Sequence, residues 1–245
     1  VAENGWLSVA ALAAENPSKC HRPSPEGSYS TGNPVPILTG SGQGNDISFH
    51  TPVPDTVLMA IIHKASVTPS KTALIEAWLD GRPWAGRGRD QVLGKYRFDD
   101  PEGEVGVEAF LIRRGDRLLH LPLTYRGAPL AGHEDHLVGT MEHSTLGTRW
   151  VYDGTEDEVS VACFRRALNG EQSQADLEVW EGGRLVARRE QQVLLRVEPG
   201  ADGDGAGAAH GGRLVLPHVL DPQPRGRSRL RARWGDQQAV VAALS

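Results

Sequence analysis

The chain has 245 residues, a mass of 26.5 kDa and a formal net charge of −5. That length buries the core of one or two small domains, and the acidic balance excludes a nonspecific nucleic-acid binder, which needs a basic surface. No run of 18 apolar residues and no basic segment followed by an apolar one is present, so the sequence reads as a soluble, cytoplasmic protein with no membrane partner.

The first 55 residues hold seven of the sixteen prolines and several Gly/Ser clusters, with one short apolar patch, WLSVAALAA. Such composition cannot bury enough apolar surface to offset chain entropy, and residues 1–55 read as a disordered or non-native extension. Cys20 and Cys163 lie in unrelated contexts; no disulfide between them is expected, and a cysteine-rich metal site is excluded by number.

Order is expected from about residue 57. The β-branched run VLMAIIHKASV predicts a strand over 57–65. Thr68 as N-cap and Pro69 in the first turn then open a helix over 69–80, with Ala73, Leu74, Ala77 and Trp78 at helical spacing and Gly81 as its stop. RPWAGRGRD reads as a loop. GEVGVEAFLIRR and RLLHLPLTYR predict a hairpin turning at Gly115-Asp116, with Leu119, Leu121, Leu123 and Tyr125 on one face. Both faces of its first strand are apolar, so a helix is expected to cover the second.

Residues 157–169 predict an embedded helix closed by Gly170, with Val161, Phe164 and Leu168 along one stripe and Val159, Cys163 and Ala167 along the next. Beyond it the chain is rich in strands. ADLEVW and RLVARR flank the turn Glu181-Gly182-Gly183, QVLLRVE continues, and SRLRARW–GD–QQAVVAAL predicts a last hairpin. Arg229, Arg231 and Arg233 fall on one face of that hairpin, as an anion-facing row or a charge-protected edge.

Searches for standard chemistry fail. There is no phosphate-binding GxxxxGK[ST], no GxSxG elbow and no GxGxxG opening a βαβ unit. His133, Glu134, Asp135 and His136, with Glu142 and His143 nearby, supply metal-ligand types, but HxxH in a hydrophilic turn is a weak signal and no metal or cofactor is assigned. His120 alternates with apolar residues and reads as a partly buried sheet residue. Asp99, Asp100 and Glu102 have ordinary turn chemistry.

The densest polar block is LPLTYRGAPL together with LVGTMEHSTLGTRWVYDG. Tyr125, Arg126, Glu142, His143, Arg149, Tyr152 and Asp153 are its candidates for a ligand or partner site, with Trp150 as a core anchor. Glu142 and His143 suit an acid–base pair by type, but as neighbours on a strand they face opposite ways. An internal ion-pair and hydrogen-bond network outweighs catalysis, and no catalytic residue is assigned. Composition and spacing lead to an α+β domain and no further.

HKASVTPSKTALIEAWL, GKYRFDDPEGEVG, LPLTYRGAPL, LVGTMEHSTLGTRWVYDG and VSVACFRRAL, in that order, resemble the N-terminal cap domain of actinobacterial maltokinases over about residues 60–170. The family framework positions include Lys71, Trp78, Tyr96, Arg97, Asp99, Gly127, Gly147 and Trp150. The resemblance implies a curved antiparallel β-sheet packed with a few helices, attached in those enzymes to a kinase body that handles ATP, sugar and magnesium. It implies a cap-like domain at 56–170 and a strand-rich C-terminal extension at 171–245 that completes or flanks it. A kinase body needs a lysine-bearing lobe and two catalytic aspartates over some two hundred further residues, which these 75 do not supply. The resemblance therefore implies a non-catalytic cap that binds or regulates a partner, such as a kinase or another enzyme of maltose, trehalose or glycogen metabolism. Two alternatives stay open: a sugar- or anion-binding module or minimal enzyme built on the polar block, and a truncated kinase.

Overall fold

The computed structural model describes residues 6–8, 61–63, 66–181, 184–200 and 212–245. In chain order they form β1 (Trp6–Ser8), β2 (Ile61–His63), β3 (Val67–Thr68), α1 (Lys71–Asp80), β4 (Asp90–Phe98), β5 (Gly106–Arg114), β6 (Arg117–Arg126), β7 (Leu137–His143), β8 (Gly147–Asp153) and α2 (Glu158–Leu168). Then follow β9 (Leu177–Glu181), β10 (Arg184–Arg189), β11 (Leu194–Pro199), β12 (Leu214–Val215), β13 (Ser228–Trp234) and β14 (Gln237–Leu244). Most of the expected disordered extension 1–55, the expected strand at 57–65 outside Ile61–His63, and the turn glycines 182 and 183 lie outside the described residues.

Six strands pair antiparallel in the order β3-β7-β8-β6-β5-β4 and curl into a half-barrel. A second sheet has the order β11-β13-β14-β12, and a third β1-β2-β9-β10. The protein is α+β and dominated by strands, as the sequence predicts.

Alternation along the β5–β6 hairpin gives the curled sheet two apolar faces. On one, Phe110, Ile112, Leu119, Leu121 and Leu123 pack with Ile75, Trp78 and Leu79 of α1 and with Ala85. On the other, Tyr96, Phe98, Val107, Ala109 and Leu111 pack with Cys163, Phe164, Ala167 and Leu168 of α2 and with Leu230, Ala232, Trp234 and Val241 of the C-terminal sheet. Helix α2 is the filling between two sheets, so the expected cover of the second face is a helix and a sheet together. Burying one large apolar side chain stabilises by about 1.5–3 kcal/mol, so this shared core ties residues after 170 firmly to those before.

A short ladder adds to this. The C-terminal end of β6 pairs with β8 (Leu123 to Arg126), while nearer its start His120 N–H donates to the His218 carbonyl (2.8 Å) and Leu220 N–H to the Leu118 carbonyl (3.0 Å).

Several local expectations shift. Helix α1 is capped by Ser70, whose hydroxyl accepts from Ala73 N–H (3.2 Å), while Thr68 lies in β3; the Thr68-Pro69 peptide is cis. The RPWAGRGRD loop contains a 3-10 turn, Pro83–Ala85. β4, which carries the Lys95–Phe98 block, has no counterpart among the sequence expectations. In α2 the buried positions are Ser160, Cys163, Phe164, Ala167 and Leu168, with Val161 only half-buried, because two sheets rather than one pack on it. His120 is completely buried, not partly. Trp150 is half-buried and belongs to neither apolar cluster, so it is not a core anchor.

Candidate functional site

Strand register decides where the polar block points. Leu123, Tyr125 and Met141 share the α1 face with their cross-strand partners Asp153, Val151 and Arg149, and His143 follows in the same parity. Arg126, Thr124 and Glu142, with their partners Trp150, Tyr152 and Thr148, take the opposite face. The structure thus brings Tyr125, His143, Arg149 and Asp153 to one side of the sheet and places Arg126, Glu142 and Tyr152 on the other. Glu142 is exposed while His143 is buried.

Six of these seven side chains have a hydrogen-bonded local partner, Tyr125 being the exception. Arg126 forms a two-pronged ion pair with Asp157, Nε to Oδ2 and NH2 to Oδ1, both 2.7 Å. Asp157 is the N-cap of α2 and also accepts from Val159 N–H (3.0 Å) and the Thr124 hydroxyl (2.7 Å). Burial raises the Asp157 pKa, but the Arg126 and Thr124 bonds outweigh it and hold the carboxyl below its ordinary value. Glu142 accepts from the Thr148 hydroxyl (2.8 Å). His143 Nδ1 accepts from Thr145 and Leu146 N–H (3.2 and 3.1 Å), which closes the β7–β8 turn. Arg149 donates to the Leu146 carbonyl (2.8 Å), and the Tyr152 hydroxyl accepts from Leu130 N–H (2.8 Å).

Asp153 ties the cap to the C-terminal residues. Its Oδ1 accepts from Thr155 N–H (3.0 Å) and the Thr155 hydroxyl (2.9 Å), and lies 3.0 Å from His218 Nε2. The His218 ring stacks on Trp84 with centroids 4.3 Å apart and meets Trp78 edge-on at 5.9 Å.

The strongest electrostatic centre contains a residue the sequence reading passed over. Glu108 of β5 is 1% exposed and faces α1. Its cross-strand partner is Arg97, Lys95 lies two residues along the same face with Nζ 3.0 Å from Oε1, and Lys71, the first residue of α1, bonds Oε2. Lys71 Nζ also sits 4.4 Å from the centre of the Tyr125 ring. Burial pushes Glu108 up, yet the charges of Lys71, Lys95 and Arg97 outweigh it and hold the carboxyl far below its ordinary value. Lys71 is lowered to about 8, mainly by burial and against the pull of Glu108. A carboxylate in the stripe Glu108, Phe110, Ile112 was the available signal, since an ionised side chain in an apolar row needs buried partners.

Framework positions divide between this centre and the opposite face. Lys71 and Arg97 belong to it, and Trp78 to the apolar cluster under it. Tyr96 lies on the other face, its hydroxyl 2.7 Å from His120 Nε2. The Asp99 carbonyl accepts from Gln172 Nε2 (2.7 Å), and burial raises the Asp99 carboxyl. A Cβ at Gly127 would lie 2.8 Å from Arg149 NH1, while Gly147 turns the β7–β8 hairpin with φ +70°.

Among the described residues no group of three or more His, Cys, Asp or Glu side chains is placed to hold a metal, and no helix is long and apolar enough to cross a membrane. The two imidazoles of His133 and His136 have centroids 6.0 Å apart in the turn around Glu134–His136. Asp100 accepts from Glu102 and Val105 N–H (both 3.1 Å), a turn-closing role. Cys163 is buried and free, its thiol pushed up to about 11 chiefly by burial.

Residues 78–157 match the family model of the maltokinase N-terminal cap domain. Over this segment the chain is similar to that family. The match covers about a third of the chain, from the Trp78 anchor of α1 to the Asp157 cap of α2. All seven polar-block residues, Glu108, Lys95 and Arg97 lie inside the matched segment, and Lys71 lies just before it. No curated protein matches the chain, and no solved structure does.

Proposed function

We propose that this chain acts as a non-catalytic cap protein that binds and regulates a partner enzyme of maltose, trehalose or glycogen metabolism in the cytoplasm. The family match supports the connection to maltokinases. The observation that carries the non-catalytic part is the commitment of the polar block: its seven side chains divide between two faces of the sheet, and all but Tyr125, whose ring packs under Lys71, bond to turns, a helix cap or a neighbouring strand. A catalytic constellation requires acid, base and substrate-positioning groups to converge on one space about 3 Å from a reacting atom. Here the same residue types fix the β6–β8–β7 frame and its junction with α2.

Two measurements test this reading. Purified chain with ATP, magnesium and maltose yields no sugar phosphate above the blank; turnover abolished by Arg149→Ala at unchanged stability overturns the non-catalytic assignment. A maltose-phosphorylating kinase assayed with and without added chain shows a change in kcat or KM that saturates with the chain. A kinase indifferent to a large excess of the folded chain overturns the regulatory part.

A further inference from the structure

The C-terminal sheet presents an arginine row that neither the core nor the cap framework uses. On β13, Leu230, Ala232 and Trp234 point into the shared core, so Arg229, Arg231 and Arg233 point outward. The neighbouring strand β11 places Glu198, Arg196 and Leu194 directly opposite those three arginines. The outward face therefore carries four guanidinium groups and one carboxylate.

That carboxylate serves one arginine: Glu198 Oε2 lies 2.8 Å from Arg231 Nε. Arg229 donates to the Pro199 carbonyl (3.1 Å), and its Nε has no partner. Arg196 and Arg233 are exposed and make no ion pair among the described residues. Arg196 stands directly across from Arg231, and like charges opposite each other weaken a ladder. Leu194, across from Arg233, is the most exposed large apolar residue among the described residues, at 56%. Folding alone gains nothing from this combination.

Approach along the strand edge is restricted. Leu195 N–H, which points away from β13, is taken by the Gln174 side chain, and Pro199 in the same parity has no N–H. Val197 N–H is what β11 leaves on that edge between them, too little to extend the ladder, so a partner of β11 meets the face, where the side chains are.

We propose that the outward face of β11 and β13 docks an acidic peptide segment of a partner protein, with carboxylates on Arg196 and Arg233 and an apolar side chain on Leu194. Guanidinium groups recognise carboxylates in two-pronged geometry. A nucleic acid fits less well: the chain carries a net charge of −5, and a long polyanion meets that whole field while a short peptide meets the local row. The proposal rests on the reading that the chain works through a protein partner.

The test uses fluorescence anisotropy with the full chain and a labelled twelve-residue peptide alternating glutamate with leucine and threonine. Wild type binds it, with affinity falling as salt rises. The double variant R196A/R233A binds about tenfold more weakly, as expected for two exposed charge pairs, at unchanged thermal stability. R89A, an exposed arginine of the cap, leaves binding unchanged. No binding by wild type, equal loss in R89A, or tighter binding of a twelve-nucleotide single strand each overturn the proposal. The kinase assay separates the two ideas. If the double variant regulates the kinase with wild-type potency, the surface is wrong and the regulatory reading stands. If the peptide binds this row while no kinase responds, the surface stands without that reading.

Discussion

Arg126 and Asp157 join the last residue of β6 to the first turn of α2 through two parallel bonds of 2.7 Å. Asp157 is 1% exposed and Arg126 half-buried, so the pair is only partly screened by water. Its role is orientation: it sets where α2 begins against the sheet, and α2 is what the C-terminal sheet packs on.

Removing Arg126 leaves a buried carboxylate held by Thr124 and the helix N-terminus. Arg126→Ala is expected to cost about 2–3 kcal/mol, below the range for wholly buried pairs because the arginine is partly solvated. Asp157→Asn keeps a capping oxygen and costs about 1–2 kcal/mol. A double-mutant cycle in urea gives a coupling of about 1–3 kcal/mol. Additive effects of the two changes sink the assignment.

Glu108 has a heavier task, since three cations surround it. Glu108→Gln removes the negative charge at nearly constant volume and leaves Lys71 buried beside Lys95 and Arg97. The expected cost is about 3–5 kcal/mol. Adding Lys71→Met to that variant recovers part of the loss by removing one uncompensated charge. A double variant less stable than Glu108→Gln alone contradicts this account of the cluster.

The parts legible in sequence were those written in short-range periodicity. Alternation in GEVGVEAFLIRR and RLLHLPLTYR located β5 and β6, and SRLRARW–GD–QQAVVAAL located β13 and β14 about Gly235. Gly170, with φ +78°, ends α2 as its sequence position suggests. β4 was hidden because Lys95, Arg97 and Asp99 alternate with Tyr96 and Phe98, and a charged face reads as surface until its buried partner is known. That partner, Glu108, lies on another strand. His218 and its stacking on Trp84 were equally out of reach, being 134 positions apart in sequence. The divergence of Glu142 and His143 needed only the two-residue period of a strand. The division of the remaining polar residues needed the register of β6 on β8.

Gly139 lies in the bulge of β7, where pairing with β8 shifts between Leu137 and Gly139. Its φ is +155°, and a Cβ there would fall 2.6 Å from Leu74 Cδ1 on α1. Gly139→Ala is expected to destabilise by about 1–3 kcal/mol from backbone strain alone. Leu74→Ala in the same chain relieves the contact but not the strain, so thermal melts show incomplete rescue. Full rescue assigns the effect to packing, and no effect removes the reason for glycine.

His120 makes the fold acid-sensitive. It is fully buried between Tyr96 and Phe164, and its pKa is lowered to about 3, chiefly by burial, with the His218 charge adding and the Pro217 carbonyl and Asp153 opposing. In the unfolded chain the imidazole returns to about 6.5. Between these values the unfolded state binds a proton that the folded state refuses, so stability falls as pH falls through this window, by about 1.4 kcal/mol per pH unit from this residue. Above about 6.5 both states are neutral and the contribution is flat. His120→Gln keeps a polar partner for the Tyr96 hydroxyl but cannot titrate, so its urea midpoint declines less steeply between pH 6 and 4.5 than that of wild type, whatever its absolute stability. Carboxylates common to both proteins cancel in the comparison of slopes. Parallel profiles for the two proteins show that His120 is protonated in the folded state and that the Tyr96 hydroxyl accepts from it.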